Sequence, residues 1–203
     1  MNVRFQYNKT SLQQQIKQLK VRERALPTLK SKESALRMEV RRIKEKSDAL
    51  EEELDQKIKG YDYMISLWSE FDPSLLTVKD VKMSSKKIAG VLIPILEDVD
   101  YEVEPFSLLD RPSWYMEGMT LIGELAKLGI SVEFYRMSLQ LLEHARKKTT
   151  QKVNLFEKVQ IPGYQDAIRK IKRYLEDEES LSKSSQKIMR ENIERKEEKV
   201  AAL

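Results

Sequence analysis

Apolar residues in the C-terminal half of the chain recur with a heptad rhythm. Counting from Leu121, steps of four and three residues alternate, and nine of the eleven positions are apolar. These seam positions are Leu121, Leu125, Leu128, Val132, Tyr135, Leu139, Leu142, Arg146, Thr149, Val153 and Phe156. A repeat of about 3.5 residues keeps one stripe of a helix facing a partner helix. The pattern therefore predicts a long coiled-coil helix.

The N-terminal region follows the same rhythm. Its seam positions are Leu36, Val40, Ile43, Ser47, Leu50, Leu54, Lys57, Tyr61, Met64 and Trp68. An earlier block of Leu12, Ile16, Leu19 and Leu26 is offset by three inserted residues, and Pro27 stands at this offset. We therefore predict two long helices, one from each end of the chain, that pack against each other in antiparallel orientation.

The C-terminal seam is also interrupted. It restarts as Tyr164, Ile168, Ile171 and Leu175, which is one residue out of step with Phe156. Pro162 stands at this slip, although proline costs about 3 kcal/mol in a helix interior because it lacks an amide hydrogen. The sequence thus predicts a local irregularity of the helix around Pro162.

The two prolines become neighbours if the helices form a hairpin. Placing Trp68 opposite Leu121 brings Pro27 level with Pro162. We therefore predict that both helices bend at one level, where each can adjust to the other. The alternatives are two unrelated kinks or a helix end at Ile161.

The helical period stops at Asp72 and Pro73. The following segments KIAGVLIPIL, EDVD and YEVEPFSLL are first β-branched, then polar, then alternating. This order predicts a β-hairpin whose prolines suit edge positions.

The predicted fold is all-α dominated, with a long antiparallel two-helix coiled coil from the N- and C-terminal regions and a small central β-hairpin. We divide the chain into an N-terminal helix (1–71), a hairpin region (72–112) and a C-terminal helix (113–203). Composition agrees, because 34% of the residues are charged and only 40% are hydrophobic, which favours an elongated helical protein over a large compact core.

Cysteine is absent, which removes disulfides and thiolate metal sites and is typical of a reducing compartment. The longest apolar run, VLIPIL, is far shorter than the roughly 18 residues that a membrane-spanning helix needs. We expect a soluble cytoplasmic protein without direct membrane insertion.

Positive charge is concentrated in two stretches. Residues 1–46 carry thirteen Lys and Arg against four Glu, and residues 146–173 carry nine against two acidic residues. Antiparallel helices would bring both stretches to one section, as a basic band of Lys17, Lys20, Arg22, Arg24, Lys30, Lys32, Arg37, Arg41, Arg42, Arg146, Lys147, Lys148, Arg169 and Lys170. Such a band can be a solvated helix face, a partner interface or a nucleic-acid surface, although aromatic residues are not interleaved with it.

The sequence offers no catalytic chemistry. It has neither a GxxxxGK[ST] phosphate loop nor a GxGxxG motif, and its one histidine, His144, lacks companions at metal-ligand spacing. We predict no catalytic residue, no cofactor and no metal site.

One stretch carries a family resemblance. The run KKTTQKVNLFEKVQIP, and within it Lys152, Val153, Asn154, Glu157, Ile161 and Pro162, resembles the signature of the D subunit of V-type and A-type rotary ATPases. The segments NKTSLQQQIKQLKVRERALPTLKSKESAL and MSSKKIAGVLIPIL resemble other parts of that family in the same order, so the resemblance spans nearly the whole chain.

The resemblance implies a non-catalytic central rotor shaft, or central stalk, that transmits torque between a nucleotide-hydrolysing or nucleotide-synthesising hexamer and a membrane rotor ring. It implies four partners, which are the catalytic A and non-catalytic B nucleotide-binding subunits, the small F subunit, and the C/d adaptor that joins the shaft to the ring. It also implies a cytoplasmic location at the periphery of a membrane. The alternatives are a cytoplasmic coiled-coil adaptor and a basic rod that binds nucleic acid.

Overall fold

The computed structural model describes residues 4–61, 70–105 and 112–201, with the backbone alone for residues 73 and 196–201. The elements in chain order are α1 (Lys9–Gly60), a 3₁₀ turn (Pro73–Leu75), β1 (Leu76–Ile88), β2 (Val91–Val103), α2 (Tyr115–Asn154), a π-helical turn (Leu155–Gln160) and α3 (Ile161–Ala201). The predicted fold class is confirmed, since the chain is mostly helical with a small central two-stranded antiparallel hairpin. The predicted seam positions Met64 and Trp68 lie outside the described residues.

The chain forms two compact units. The first unit comprises Met1–Lys30 and Gln151–Leu203, and the second unit comprises Ser31–Thr150. The division predicted from sequence, at residues 71 and 112, concerns chain segments rather than packing units and stays a prediction.

The second unit contains a hydrophobic core that joins both helices to the hairpin. Its buried members are Leu36, Val40, Ile43, Ile93 and Leu142. Four of these lie on the predicted seams of α1 and α2, and Ile93 comes from β2. No seam position described between Leu36 and Tyr61, or between Leu121 and Thr149, is exposed.

Ion pairs in the second unit show the direction of its two helices. Arg136 Nε lies 2.9 Å from Glu51 Oε1, and Lys57 Nζ lies 3.6 Å from Glu124 Oε2. Because the contact moves forward along α1 as it moves backward along α2, the two helices are antiparallel.

Helix α2 buries a second stripe that the heptad did not predict. Phe134 and Ser138 are buried, although neither lies on the seam. Ser138 Oγ donates a hydrogen bond to the carbonyl oxygen of Pro94, 3.1 Å away on β2. The stripe therefore packs against the hairpin, while the seam packs against α1.

The hairpin turns at two residues in left-handed conformation. Ile88 pairs with Val91, and Ala89 and Gly90 between them have φ angles of 48° and 84°. Two positive φ angles are typical of a type I′ turn, whose twist matches that of the strands it joins. The polar segment of residues 97–100, which follows the β-branched segment in the predicted hairpin, belongs to β2, where the pairing register shifts beside Lys82 and Met83. The polar segment thus marks a bulge, not a turn.

In the first unit, the start of α1 packs against α3. The ring of Tyr7, just before α1, lies 4.9 Å from that of Tyr174 on α3, and Lys30 Nζ lies 2.6 Å from Glu157 Oε1 of the π-helical turn, so the two ends of the chain run antiparallel in this unit. The restarted seam is confirmed, since Tyr164, Ile168, Ile171 and Leu175 are all at least half-buried. Two buried side chains on the α1 side, Ser11 and Gln15, are polar.

The π-helical turn accounts for the slip in the C-terminal seam. The amide of Ile161 donates to the carbonyl oxygen of Phe156, five residues back rather than four. A π turn holds one extra residue, which advances every later residue on the helix surface by one position. The backbone of Ile161 remains helical, with φ −58° and ψ −53°, so the chain does not leave the helix before Pro162.

Pro27 does not interrupt its helix, because α1 runs from Lys9 to Gly60 with Pro27 inside it. The predicted pairing of Pro27 with Pro162 stays a prediction. The contacts of Arg22 with Gln160 and of Lys30 with Glu157 lie on either side of Pro27 on α1, and the residues that they reach on the other helix precede Pro162.

Candidate functional site

Arg22, predicted as one cation of the basic band, is half-buried between the helices of the first unit. Its Nε donates to Gln160 Oε1 at 2.6 Å, and its Nη1 donates to Gln18 Oε1 at 2.6 Å. Its guanidinium carbon lies 4.6 Å from the ring centroid of Tyr164 and 5.9 Å from that of Phe156. A planar guanidinium can stack on a ring and donate in its own plane at once. Arg22 therefore links α1 to both ends of the π-helical turn.

The six residues of the family-like motif divide into three kinds of environment. Val153 is buried and Ile161 is half-buried, so both contribute to packing. Glu157 forms the ion pair with Lys30. Lys152, Asn154 and Pro162 are exposed. The exposed three can contact a partner, and an interface role for the motif stays a prediction.

The remaining cations of the band in the first unit differ in their pairing. Arg169 Nη2 and Lys170 Nζ both bind Asp166, at 2.7 and 2.9 Å. The hydrogen bonds from Lys170 and Arg169 hold the pKa of Asp166 below its ordinary value. In contrast, Lys17, Lys20 and Arg24 are exposed, and no described carboxylate lies within 4.0 Å of their charged groups.

In the second unit, three arginines of the band on α1 pair with glutamates one turn away. Arg37 Nη2 lies 2.9 Å from Glu33, Arg41 Nε lies 2.8 Å from Glu45, and Arg42 Nη1 lies 3.9 Å from Glu39. These pairs are local to one helix, and exposed pairs of this kind are worth about 0.3–0.5 kcal/mol.

Four further cations of the band belong to this unit. Lys32, Lys147 and Lys148 are exposed, and none has an acidic partner within 4.0 Å in the part of the chain that the structure describes. Arg146 is half-buried on the α2 seam, and its Nε is buried without a hydrogen-bond partner among the described residues. Six of the fourteen predicted band residues are therefore ion-paired, and six others are exposed and unpaired.

The described residues present exposed charged side chains that a partner can bind. Within residues 4–61, 70–105 and 112–201, no group of three or more His, Cys, Asp or Glu side chains could hold a metal ion. His144 is exposed. No helix in the same ranges is both long enough and apolar enough to cross a bilayer. The exposed lysines can form ion pairs with carboxylates or phosphates of a partner.

The chain is similar in sequence to known proteins along nearly its whole length. A family model for the D subunit of ATP synthase matches residues 11–191. A V-type ATP synthase D subunit from Borreliella burgdorferi is 34% identical over 196 residues, which cover 95% of this chain and 96% of the relative. Proteins of the same name from Chlamydia trachomatis and Chlamydia muridarum are each 27% identical over 203 residues, covering 98% of this chain and 100% of theirs.

Proposed function

The chain belongs to the family of ATP synthase D subunits, and from this premise we propose that it is the non-catalytic central shaft of a V/A-type rotary ATPase. It is one component of a multi-subunit ATPase. In that complex it transmits torque between the hexamer that hydrolyses or synthesises ATP and the rotor ring of the membrane. It lies on the cytoplasmic side, at the periphery of the membrane.

The observation that carries the proposal is the set of polar cross-links between antiparallel helices within each unit. Lys30 and Glu157 join the helices of the first unit at 2.6 Å, and Arg136 and Glu51 join those of the second at 2.9 Å. Two helices that pack along a seam and are joined by ion pairs resist twisting more than either helix alone would. Such a pair is suited to carrying a twisting load.

The exposed, unpaired lysines give the proposed shaft a surface for its surroundings. Lys147 and Lys148 on α2 are exposed, and neither lies within 4.0 Å of a carboxylate among the residues that the structure describes. Long, strongly hydrated cations bind acidic loops without fixed geometry, which allows contacts to be exchanged during movement. We propose that this surface meets the catalytic A and non-catalytic B subunits. The small F subunit and the C/d adaptor to the membrane ring are the other proposed partners.

Nucleic-acid binding receives less support. Phosphate binding needs free cations. In the described structure, however, Arg37, Arg41 and Arg42 are neutralised by glutamates of the same helix, and Arg169 and Lys170 by Asp166.

Rotation can be tested directly because the chain has no cysteine. Met83 on β1 is 64% exposed, so Met83→Cys provides a unique attachment point for a bead. The chain is assembled with the nucleotide-binding subunits on a glass surface. We expect the bead to rotate in one direction when ATP is added and to stop when a non-hydrolysable analogue replaces it. A stationary bead on a complex that hydrolyses ATP and retains the chain would refute the shaft.

The role of the unpaired lysines is tested separately. Lys147→Gln with Lys148→Gln is compared with Lys183→Gln and Lys187→Gln, which remove the same charge from α3. We expect the first variant to assemble with the nucleotide-binding subunits more weakly and with a smaller salt dependence than the second. Equal assembly of both variants would contradict the proposed contact. Strong, salt-sensitive binding of the isolated chain to duplex DNA would favour the nucleic-acid alternative.

A further inference from the structure

A cavity of about 300 Å³ opens in the second unit between α1, the hairpin and α2. Its volume lies at the lower end of the range for small-molecule sites, roughly 300 to 1,000 Å³. The proposed torque function does not require it, although the seam residue Ile43 forms part of its floor.

The floor of the cavity is apolar and is formed by each of the three elements. Ile43 comes from α1, Ile93 from β2 and Phe134 from α2, and each side chain is less than a tenth exposed. Phe134 belongs to the second stripe of α2, which explains why the cavity lies where the hairpin meets that helix. Hydrocarbon that covers an apolar floor of this kind gains free energy, because apolar surface leaves water.

The rim of the cavity carries more cations than carboxylates can neutralise. Lys127 is paired with Asp98 at 2.8 Å, and Arg42 lies 3.9 Å from Glu39. Two other lining lysines, Lys46 and Lys86, are exposed and have no carboxylate within 4.0 Å among the residues that the structure describes.

The one acidic lining residue outside these pairs is Glu97. The rim therefore keeps an excess of positive charge beside Lys46 and Lys86.

We propose that this cavity binds a small amphipathic anion, a short aliphatic chain that ends in a carboxylate. The chain occupies the apolar floor, and the carboxylate lies at the mouth between Lys46 of α1 and Lys86 of β1. Because these lysines come from a helix and from the hairpin, the bound anion links the two elements. The ligand class follows from the combination of a hydrocarbon floor with two unpaired cations at its edge.

Methyl NMR of the full-length chain tests the proposal with three probes. Octanoate carries both chain and charge, octanol carries the chain alone, and acetate carries the charge alone. We expect octanoate to shift the δ1 methyl signals of Ile43 and Ile93 at lower concentration than octanol, and acetate to leave them unmoved. Ile171 in the first unit serves as the internal control and should not shift. Equal effects of octanoate and octanol, or no shift at Ile43 and Ile93 below the micellar concentration, would overturn the proposal.

A matched pair of variants tests the cations. Lys46→Gln with Lys86→Gln removes the two rim charges, whereas Lys44→Gln with Lys87→Gln removes the same charge from neighbouring exposed positions that do not line the cavity. We expect the first variant to lose about tenfold in octanoate affinity, because each partly exposed ion pair contributes up to about 1 kcal/mol. Its octanol affinity should not change. An equal loss in the control variant would show that general electrostatic attraction, not the rim, holds the anion.

Discussion

The two units of this chain use the same kind of antiparallel helix contact but bury different side chains in it. The second unit has a core of Leu36, Val40, Ile43, Ile93 and Leu142, completed by the hairpin. The first unit buries Val153, Ala167 and Ile171 on its C-terminal side, but its α1 side buries the polar Ser11 and Gln15, and Arg22 is half-buried there. A heptad therefore specifies where helices meet, but not how strongly they hold together.

The difference in composition predicts a difference in stability. Apolar burial contributes about 25 cal/mol per Å², whereas a buried polar group at best recovers its lost hydration through hydrogen bonds. We expect the second unit to form the stable part of the protein and the first unit to open more readily. A less stable helix contact in the first unit would allow that unit to adjust its shape when a partner binds.

Removing the centre of the apolar core should have the largest effect. Leu142 is 0% exposed, and Leu142→Ala is expected to cost about 2 to 5 kcal/mol of unfolding free energy, since it removes packed hydrocarbon and leaves a cavity. Leu141→Ala is the control, because Leu141 is 46% exposed and its truncation should change little. Urea denaturation followed by circular dichroism measures both. Equal losses in the two variants would contradict the assigned core.

The first unit should become more stable when a buried polar side chain in it is replaced by an apolar one. Gln15 is 6% exposed, and its Oε1 has no hydrogen-bond partner among the described residues. Gln15→Leu keeps a similar volume and removes the unsatisfied acceptor, so it should stabilise the unit by about 1 to 2 kcal/mol. Hydrogen exchange at the start of α1 should slow accordingly. Gln14→Leu, at an exposed neighbour, should leave the exchange rates unchanged, and faster exchange in Gln15→Leu would refute the expectation.

Arg22 provides a smaller test of the polar contact. Arg22→Met keeps the aliphatic stem but loses the hydrogen bond to Gln160 and the contact with the ring of Tyr164, so the loss should be about 1 kcal/mol. Arg24→Met removes an exposed, unpaired cation and should be nearly neutral. The melting temperatures of both variants give the comparison. If Arg24→Met were the more destabilising change, the assigned contact between α1 and the π-helical turn would be wrong.

The smallest expected effect concerns pH and the hairpin of the second unit. The hydrogen bond from Lys127 holds the pKa of Asp98 below its ordinary value. A carboxyl with a lowered folded-state pKa stabilises the fold above its unfolded pKa of about 3.9, and this stabilisation is lost as the pH falls through the folded pKa.

The contact between β2 and α2 should therefore weaken only in acid. Titration of the Asp98 carboxyl carbon by NMR checks the direction, and Lys127→Met should return its pKa toward the ordinary value. A midpoint that stays unchanged in Lys127→Met would contradict this cause.

Periodicity in the sequence predicted the helices, the buried seams and the one-residue slip after Phe156. It did not predict that a π turn produces the slip, because a shift in spacing does not say which hydrogen bonds change. The second stripe on α2, with Phe134 and Ser138, was missed because a heptad count follows one face of a helix. Its signal was Phe134, a large apolar residue off the seam.

The hairpin was predicted, but its turn was not located. Charged residues usually mark turns, yet those at 97–100 lie in a two-stranded sheet with solvent-accessible edges, where a bulge tolerates them. The observed turn consists of Ala89 and Gly90, and Gly90 was its signal in the sequence, because glycine readily adopts the positive φ that such a turn requires. Among the candidate site residues, Arg22 could not be distinguished from its exposed neighbours, because charge alone does not reveal the rings of Tyr164 and Phe156 that surround it.

The π-helical turn at Leu155–Gln160 holds one residue more than an ordinary α-helical turn. Deleting one residue there would remove the slip and let an ordinary α-helix continue, so the surface that follows would keep its direction. Deleting one residue from a regular part of the helix would instead rotate the following surface by about 100°. The π-helical turn thus allows a helix to gain or lose a residue without redirecting the side chains of α3.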